Sequence, residues 1–92
     1  MSSTSVLHHT QQTSIWALQA LRDLTGRQAA VYNFIRHHGP ISNLEIAERI
    51  GLPINSITPR VFELRAKGLV REAERGVSPI TGRTVIMWEV SE

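Results

Sequence analysis

The apolar positions of the chain fall into four stretches of helical spacing followed by an alternating segment. Thr13 or Ser14 suits an N-cap, and Ala17, Ala20, Leu21 and Leu24 then recur at helical intervals, with Ile15, Trp16 and Leu18 broadening the stripe. This predicts a first helix ending near Leu24. Thr25 followed three residues later by Gln28 has the form of a capping box and opens a second helix through His38. Val31, Phe34 and Ile35 form its inner face, and Gly39 stops it. Pro40-Ile41 allow one short extended piece. Ser42 with Glu45 makes a second capping box, with better chemistry than the first, ahead of a third helix that turns Ile46, Ala47 and Ile50 inward and ends at Gly51. After Gly51-Leu52-Pro53, a core stripe of Ile57, Val61 and Leu64 predicts a fourth helix to Lys67, ended by Gly68. Residues 1–12, polar with few apolar side chains, read as a flexible tail.

The rest alternates. Leu69 to Glu72 suits a strand, and so does Thr84 to Val90, with Ile86, Trp88 and Val90 on one face and Val85 and Met87 on the other. Arg75 to Arg83 contains two glycines and a proline between its flanking arginines, which predicts a hairpin loop with a polar, basic tip. Two positions sit awkwardly. Pro59 cannot donate a helical hydrogen bond, so a helix capped by Thr58 and starting at Pro59, after a tight turn over residues 53–57, is an alternative to a continuous one. Phe62 falls on the outer side of the helical wheel. Burial at the edge of the second helix is its expected role, with a thymine methyl or a second protein copy as the other readings.

The order helix, short strand, helix, tight turn, helix, hairpin is that of a winged helix-turn-helix, a mostly helical α+β fold, here with an extra N-terminal helix and a C-terminal β-hairpin wing. Its spacing is sterically demanding. A small residue must lie where the two helices cross (Ala47), a glycine four residues on must take a positive φ (Gly51), and a β-branched residue six further must fill the core (Ile57). One domain over residues 13–90 is expected. The runs Asn43-Leu44-Glu45-Ile46-Ala47, Leu52 to Arg60, Glu63-Leu64-Arg65, Gly68-Leu69-Val70 and Thr81-Gly82-Arg83, with Trp88, resemble small winged-helix proteins encoded by bacteriophages and prophages. More distantly the chain is similar to the DNA-binding core of the MarR and ArsR regulators. The resemblance implies DNA binding, with the second helix of the motif in the major groove and the wing beside it.

Charge adds to this picture. Nine of the ten basic residues are Arg, the side chain suited to bidentate phosphate and guanine contacts. Between Pro53 and Arg83 lie Arg60, Arg65, Lys67, Arg71, Arg75 and Arg83 against only Glu63, Glu72 and Glu74, although the whole chain carries a formal net charge of +2. With Ile57 taken as inward, Asn55, Pro59, Phe62 and Ala66 point away from the core, flanked by Ser56 and Glu63. Asn55 is the candidate base reader, because Asn can pair bidentately with adenine, or else a turn or cap residue. Thr58 and Pro59 share that part of the helix. Arg60, between core and solvent, can reach phosphate or guanine, and Arg65 belongs to the same basic set. On the wing, Arg75 and Arg83 bracket the tip while Ser78 and Thr81 can hydrogen-bond phosphates. Asn43 sits at a helix N-terminus, where backbone N–H groups attract phosphate, beside Ser42 as a cap.

Other chemistry finds little support. No cysteine is present, which rules out disulfides and thiolate metal sites and fits a reducing cytosol. The resemblance implies a place in the cytoplasm of a bacterial host cell, at the nucleoid. Adjacent histidines (His8-His9, His37-His38) point different ways on a helix and lack a partner ligand at metal spacing. No catalytic motif occurs, so neither an enzyme nor a cofactor is expected. The expected partner is double-stranded DNA, bound sequence-specifically by a transcriptional regulator. The apolar surplus of the first helix, Trp16, Leu21 and Leu24, suits a homodimer contact or, alternatively, a cover over the second helix and the sheet of the same chain. A protein-interaction winged helix and an architectural factor in phage replication or recombination are the competing readings.

Overall fold

The computed structural model describes residue 15 and residues 18–91. The expected tail, the start of the first helix and Trp16 lie outside these. Residues 18–22 are helical, and the segment closes in a turn where the Asp23 N–H bonds the Gln19 and Ala20 carbonyls. Three longer helices follow: α1 (Gly26–His38), α2 (Asn43–Ile50) and α3 (Ile54–Ala66). Four short strands complete the described residues: β1 (Val70–Glu72), β2 (Gly76–Val77), β3 (Thr84–Val85) and β4 (Trp88–Val90). Val31 and Ile35 of α1, Ile46 and Ala47 of α2, and Ile57, Val61 and Leu64 of α3 meet in one core with Ile41, Leu69, Val70 and Trp88. The stripes read from periodicity are the buried ones. Phe34 and Ile50 are half-buried at its margin.

Of the two capping boxes, the first is the complete one. The Thr25 hydroxyl accepts from the Gln28 N–H, and Gln28 Oε1 accepts from the Thr25 N–H at 3.0 Å. At α2 the Ser42 hydroxyl accepts from the Glu45 N–H, but the Glu45 carboxylate lies 3.7 Å from Arg49 one turn on, so the reciprocal half is not made. The better capping residue did not make the better box, because a cation at i+4 competes for the glutamate.

Gly51 ends α2 with φ 84°, and the Ala47 carbonyl accepts both the Gly51 and Leu52 N–H groups. That αL residue reverses the chain over three residues into α3. Helix α3 is continuous through Pro59. The bond that Pro59 cannot make would go to the Asn55 carbonyl, on an exposed residue in the first turns, where water can replace it. Packing of Ile57 and Val61 on either side of the proline holds both halves in one helix. At the far end Gly68 (φ 76°) closes a Schellman pair, Gly68 N–H to Arg65 O and Leu69 N–H to Leu64 O.

The sheet is split where the sequence suggested one long strand. β1 pairs antiparallel with β4, Glu72 opposite Trp88, and β2 with β3, Gly76 opposite Val85. Residues 73–75 on one side therefore face only residues 86–87 on the other. This is a one-residue bulge, bridged by a bond from the Ala73 N–H to the Met87 carbonyl at 2.8 Å. The bulge bends the ladder, so Ile86 is exposed rather than buried beside Trp88. Ile41, just before α2, exchanges both backbone bonds with Trp88, at 3.0 and 2.8 Å, and so adds a single-residue bridge on the free side of β4.

Gly39 ends α1 for a reason other than a left-handed turn. Its backbone is extended (φ −70°, ψ 159°), and the Gly39–Pro40 bond is cis. A Cβ there would lie 2.6 Å from the Ile35 carbonyl oxygen and 3.0 Å from that of Trp88, both backbone atoms unable to swing aside. Gly39→Ala is expected to cost about 1–3 kcal/mol by overpacking. Gly26→Ala, whose Cβ meets nothing within 4 Å, should be neutral or stabilise by up to about 1 kcal/mol. Urea unfolding of both variants against the parent checks the contrast.

Candidate nucleic-acid interface

The α2–turn–α3 unit sets one face of α3 against the core and leaves the opposite face open. Asn55, Thr58 and Pro59 are exposed on it, with Ser56 half-buried at its edge. Pro53 is the N-cap residue of α3 and makes no side-chain cap bond. Asn55 is thus two residues into the helix, and its cap role falls away. Phe62 shares the open face and is 68% exposed, which corrects the expected burial. It lies roughly 140° around the helix from Ile57, and α1 packs along the other flank.

That other flank carries a polar cluster. Arg60 grips Glu63 side-on, Nε to Oε1 and Nη2 to Oε2, each at 2.8 Å. Gln28 of α1 donates from Nε2 to Glu63 Oε1, also at 2.8 Å. The Arg60 hydrogen bond and that from Gln28 hold the Glu63 carboxyl below the usual glutamate range, and the same contact raises the Arg60 guanidinium further. Arg60 was expected as a contact and Glu63 only as a flank of the outward face; their pairing, and the part of Gln28 in it, were not expected. The i,i+3 spacing of Arg60 and Glu63 was a legible hint, whereas nothing in the sequence joins Gln28 to either.

The other basic residues divide by partner. Arg65 lies 3.7 Å from Glu72, with its guanidinium 5.7 Å from the centre of the Trp88 ring, tying α3 to the wing strands. Arg71 bonds Glu89 across the β1–β4 pair at 2.9 Å. Arg75 and Arg83 are exposed and have no ion-pair partner among the described residues.

The tip between them is braced internally. Ser78 is 1% exposed, and its hydroxyl accepts from the Ile80 and Thr81 N–H groups. Its backbone bonds Arg83 O and Gly82 N at 2.8 Å each. Ser78 therefore shapes the tip and has no free hydroxyl surface to offer a phosphate. Thr81 is exposed, with its hydroxyl accepting from the Arg83 N–H. Asn43, at the start of α2, is half-buried, and its Oδ1 has no hydrogen-bond partner. It borders a shallow groove with Leu44, Val85, Ile86 and Trp88.

His37 and His38 form no metal cluster among the described residues: His37 Nδ1 meets the Asn33 carbonyl at 2.8 Å and His38 packs on Phe34. No helix in the described residues is long and apolar enough to cross a membrane.

This arrangement has known counterparts. Over 50 residues, 54% of its length, the chain is 40% identical to the DNA-binding transcriptional dual regulator NagC of Escherichia coli K12 and to the N-acetylglucosamine repressor of Shigella flexneri. It spans only 12% of each of those proteins. Among solved structures, the PcaV transcriptional regulator of Streptomyces coelicolor superposes with a TM-score of 0.60 at 21% identity, over 95% of this chain and 60% of that one. A multiple antibiotic-resistance repressor (MarR) from Listeria monocytogenes gives 0.59 at 20% identity, over 96% and 58%. These likenesses show a shared fold. The sequence profile of winged helix-turn-helix DNA-binding domains matches residues 26–71, half the chain, from the first turn of α1 into β1. The chain belongs to the winged helix-turn-helix DNA-binding family.

Proposed function

We propose that the chain is a sequence-specific double-stranded DNA-binding transcriptional regulator, with α3 in the major groove and the wing on the adjoining backbone. The observation that carries this reading is the pairing of an open polar face on α3 with a braced hairpin tip whose two arginines, Arg75 and Arg83, lack ion-pair partners among the described residues. In this reading Asn55 reads bases, with Ser56, Thr58 and Pro59 around it. Arg60 and Arg65 flank the groove, Asn43 approaches phosphate, and Arg75, Thr81 and Arg83 position the wing. Ser78 is left out of the contact set because it is buried. The repressor and regulator relatives support a role in transcription. A domain over residues 13–90 behind a tail, a phage or prophage origin and a place at the bacterial nucleoid belong to the same proposal and rest on sequence pattern and resemblance. Exposed Phe62 favours a second reading, an interaction module for another protein.

If about four phosphates are neutralised, log K should fall against log salt with a slope of roughly −3 to −4. Filter binding to a mixed-sequence duplex at several salt concentrations measures it, and a flat line would favour the interaction-module reading.

Arg75→Ala and Arg83→Ala should weaken binding to every duplex alike. Asn55→Ala should instead erase about 1–3 kcal/mol of preference for a selected site over a scrambled one. Equal losses from Asn55→Ala on both duplexes would remove it as a base reader.

We further propose that two copies bind together, since one recognition helix and one wing cover too few base pairs for useful specificity. Leu21 and Leu24 prove to pack partly against the chain's own core. Among the described residues of this segment, Ile15 and Leu18 are the exposed large apolar ones, at 52% and 54%. Sedimentation of the full chain should show a dimer on a palindromic duplex that Leu18→Ala weakens, and a monomer in every case would exclude the pairing.

A further inference from the structure

Arg60 is held differently from the other paired arginines. Arg49 and Arg65 sit 3.7 Å from their carboxylates, and Arg71 reaches its own through one bond between exposed groups. Only Arg60, among the described residues, is forked on both oxygens of a carboxylate, and only that carboxylate receives a third donor. The third donor cannot turn away. Gln28 is 9% exposed, and its Oε1 is committed to the Thr25 N–H in the capping box, which fixes the amide so that Nε2 faces Glu63. A helix cap on α1 therefore sets the position of a carboxylate on α3, and that carboxylate sets the position of an arginine.

The fork also decides which edge of the guanidinium is left. Nε and Nη2 are taken up by Glu63. The Nη1–Nη2 end keeps the remaining N–H groups in the parallel pair that fits two acceptors at once. Guanine presents such a pair in the major groove, O6 and N7. A phosphate can be approached by a mobile arginine from many directions; a base edge requires one direction. Holding the side chain before binding lowers the rotamer entropy lost on contact, and the neighbouring carboxylate offsets the positive charge that would otherwise attract any backbone.

We propose that Glu63, oriented by Gln28, is a positioning residue that presents the free edge of Arg60 to a guanine, making Arg60 a determinant of sequence choice rather than a general phosphate contact. The inference rests on the DNA-binding reading above.

The test is selection of bound sequences from a random duplex library, with salt titrations on a mixed-sequence duplex and thermal melting of every variant. The parent should select a motif with a fixed G·C pair that Arg60→Ala and Arg60→Lys both lose. The Lys variant matters because it keeps the charge without the fork. In Glu63→Gln, preference for that guanine should fall about tenfold. Affinity for the mixed-sequence duplex should rise, and its salt slope should steepen by about 0.9 as Arg60 turns to phosphate. Gln28→Glu retains the cap but loses the amide donor, and should relax the same base pair. In the Arg60→Ala background, Glu63→Gln should change the selected motif no further. A Glu63→Gln protein that melts like the parent and keeps its motif and slope overturns the inference alone. So does an equal effect of Glu63→Gln with and without Arg60. A parent chain that binds no duplex overturns the DNA-binding reading and this inference with it.

Discussion

The strand that carries the wing is anchored to the helices chiefly at one residue. Trp88 exchanges two backbone hydrogen bonds with Ile41, between α1 and α2, and its ring is buried in the helical core. Its carbonyl also closes over Gly39, where a Cβ would not fit. One residue thus links the end of α1, the start of α2 and the strand that carries the hairpin. Fully burying a ring of this size stabilises a small domain substantially; large-to-small truncation at such positions costs about 3–5 kcal/mol. That is a large share of what a domain of this length can hold in reserve. The geometry between α3 and the wing follows from the same anchor, because Arg65 of α3 lies over the outer side of the ring and reaches on to Glu72.

A second constraint sits at the helix crossing. α2 can approach α3 only because Ala47 is small and Gly51 takes a left-handed conformation, and Ile57 then fills the space created. Those three positions were legible because each is a steric requirement with a fixed offset, and steric requirements survive in sequence as residue size. The helix stripes were legible for a related reason: burial selects apolar residues at the helical period. The same stripe predicted α3, but its continuity through Pro59 stayed open, since local preference argued for a break that tertiary packing on both sides overrode.

What stayed hidden was pairing at a distance. The bulge between β1–β4 and β2–β3 leaves no residue signature, because any three residues can oppose any two. Reading Thr84 to Val90 as one strand set Ile86 on the same face as Trp88 for that reason. Ser78 was read by its hydroxyl, and the fold uses that hydroxyl to hold its own turn. Gln28 was legible as a capping residue, but its amide has two ends, and only the fold shows that the second end meets Glu63. Polar side chains are harder to place than apolar ones because several partners suit them equally, and the choice falls to whichever element the core packing brings near.

The sorting of arginines follows from this choice and bears on what a net charge of only +2 means for a DNA-binding domain. A weak overall field does little to hold the protein on arbitrary duplex, since non-specific binding scales with the number of neutralised phosphates. Here three of the basic residues from Arg60 onward are spent on carboxylates of the chain itself, Glu63, Glu72 and Glu89. Arg75 and Arg83, at the hairpin tip, keep their charge without such a partner among the described residues. This puts those two positive charges on one exposed, internally braced loop, while the open face of α3 presents the uncharged residues Asn55, Thr58, Pro59 and Phe62. In the proposed binding mode, charge placed this way would orient a duplex against the wing without holding it tightly, leaving the larger part of the binding free energy to the bases that α3 meets.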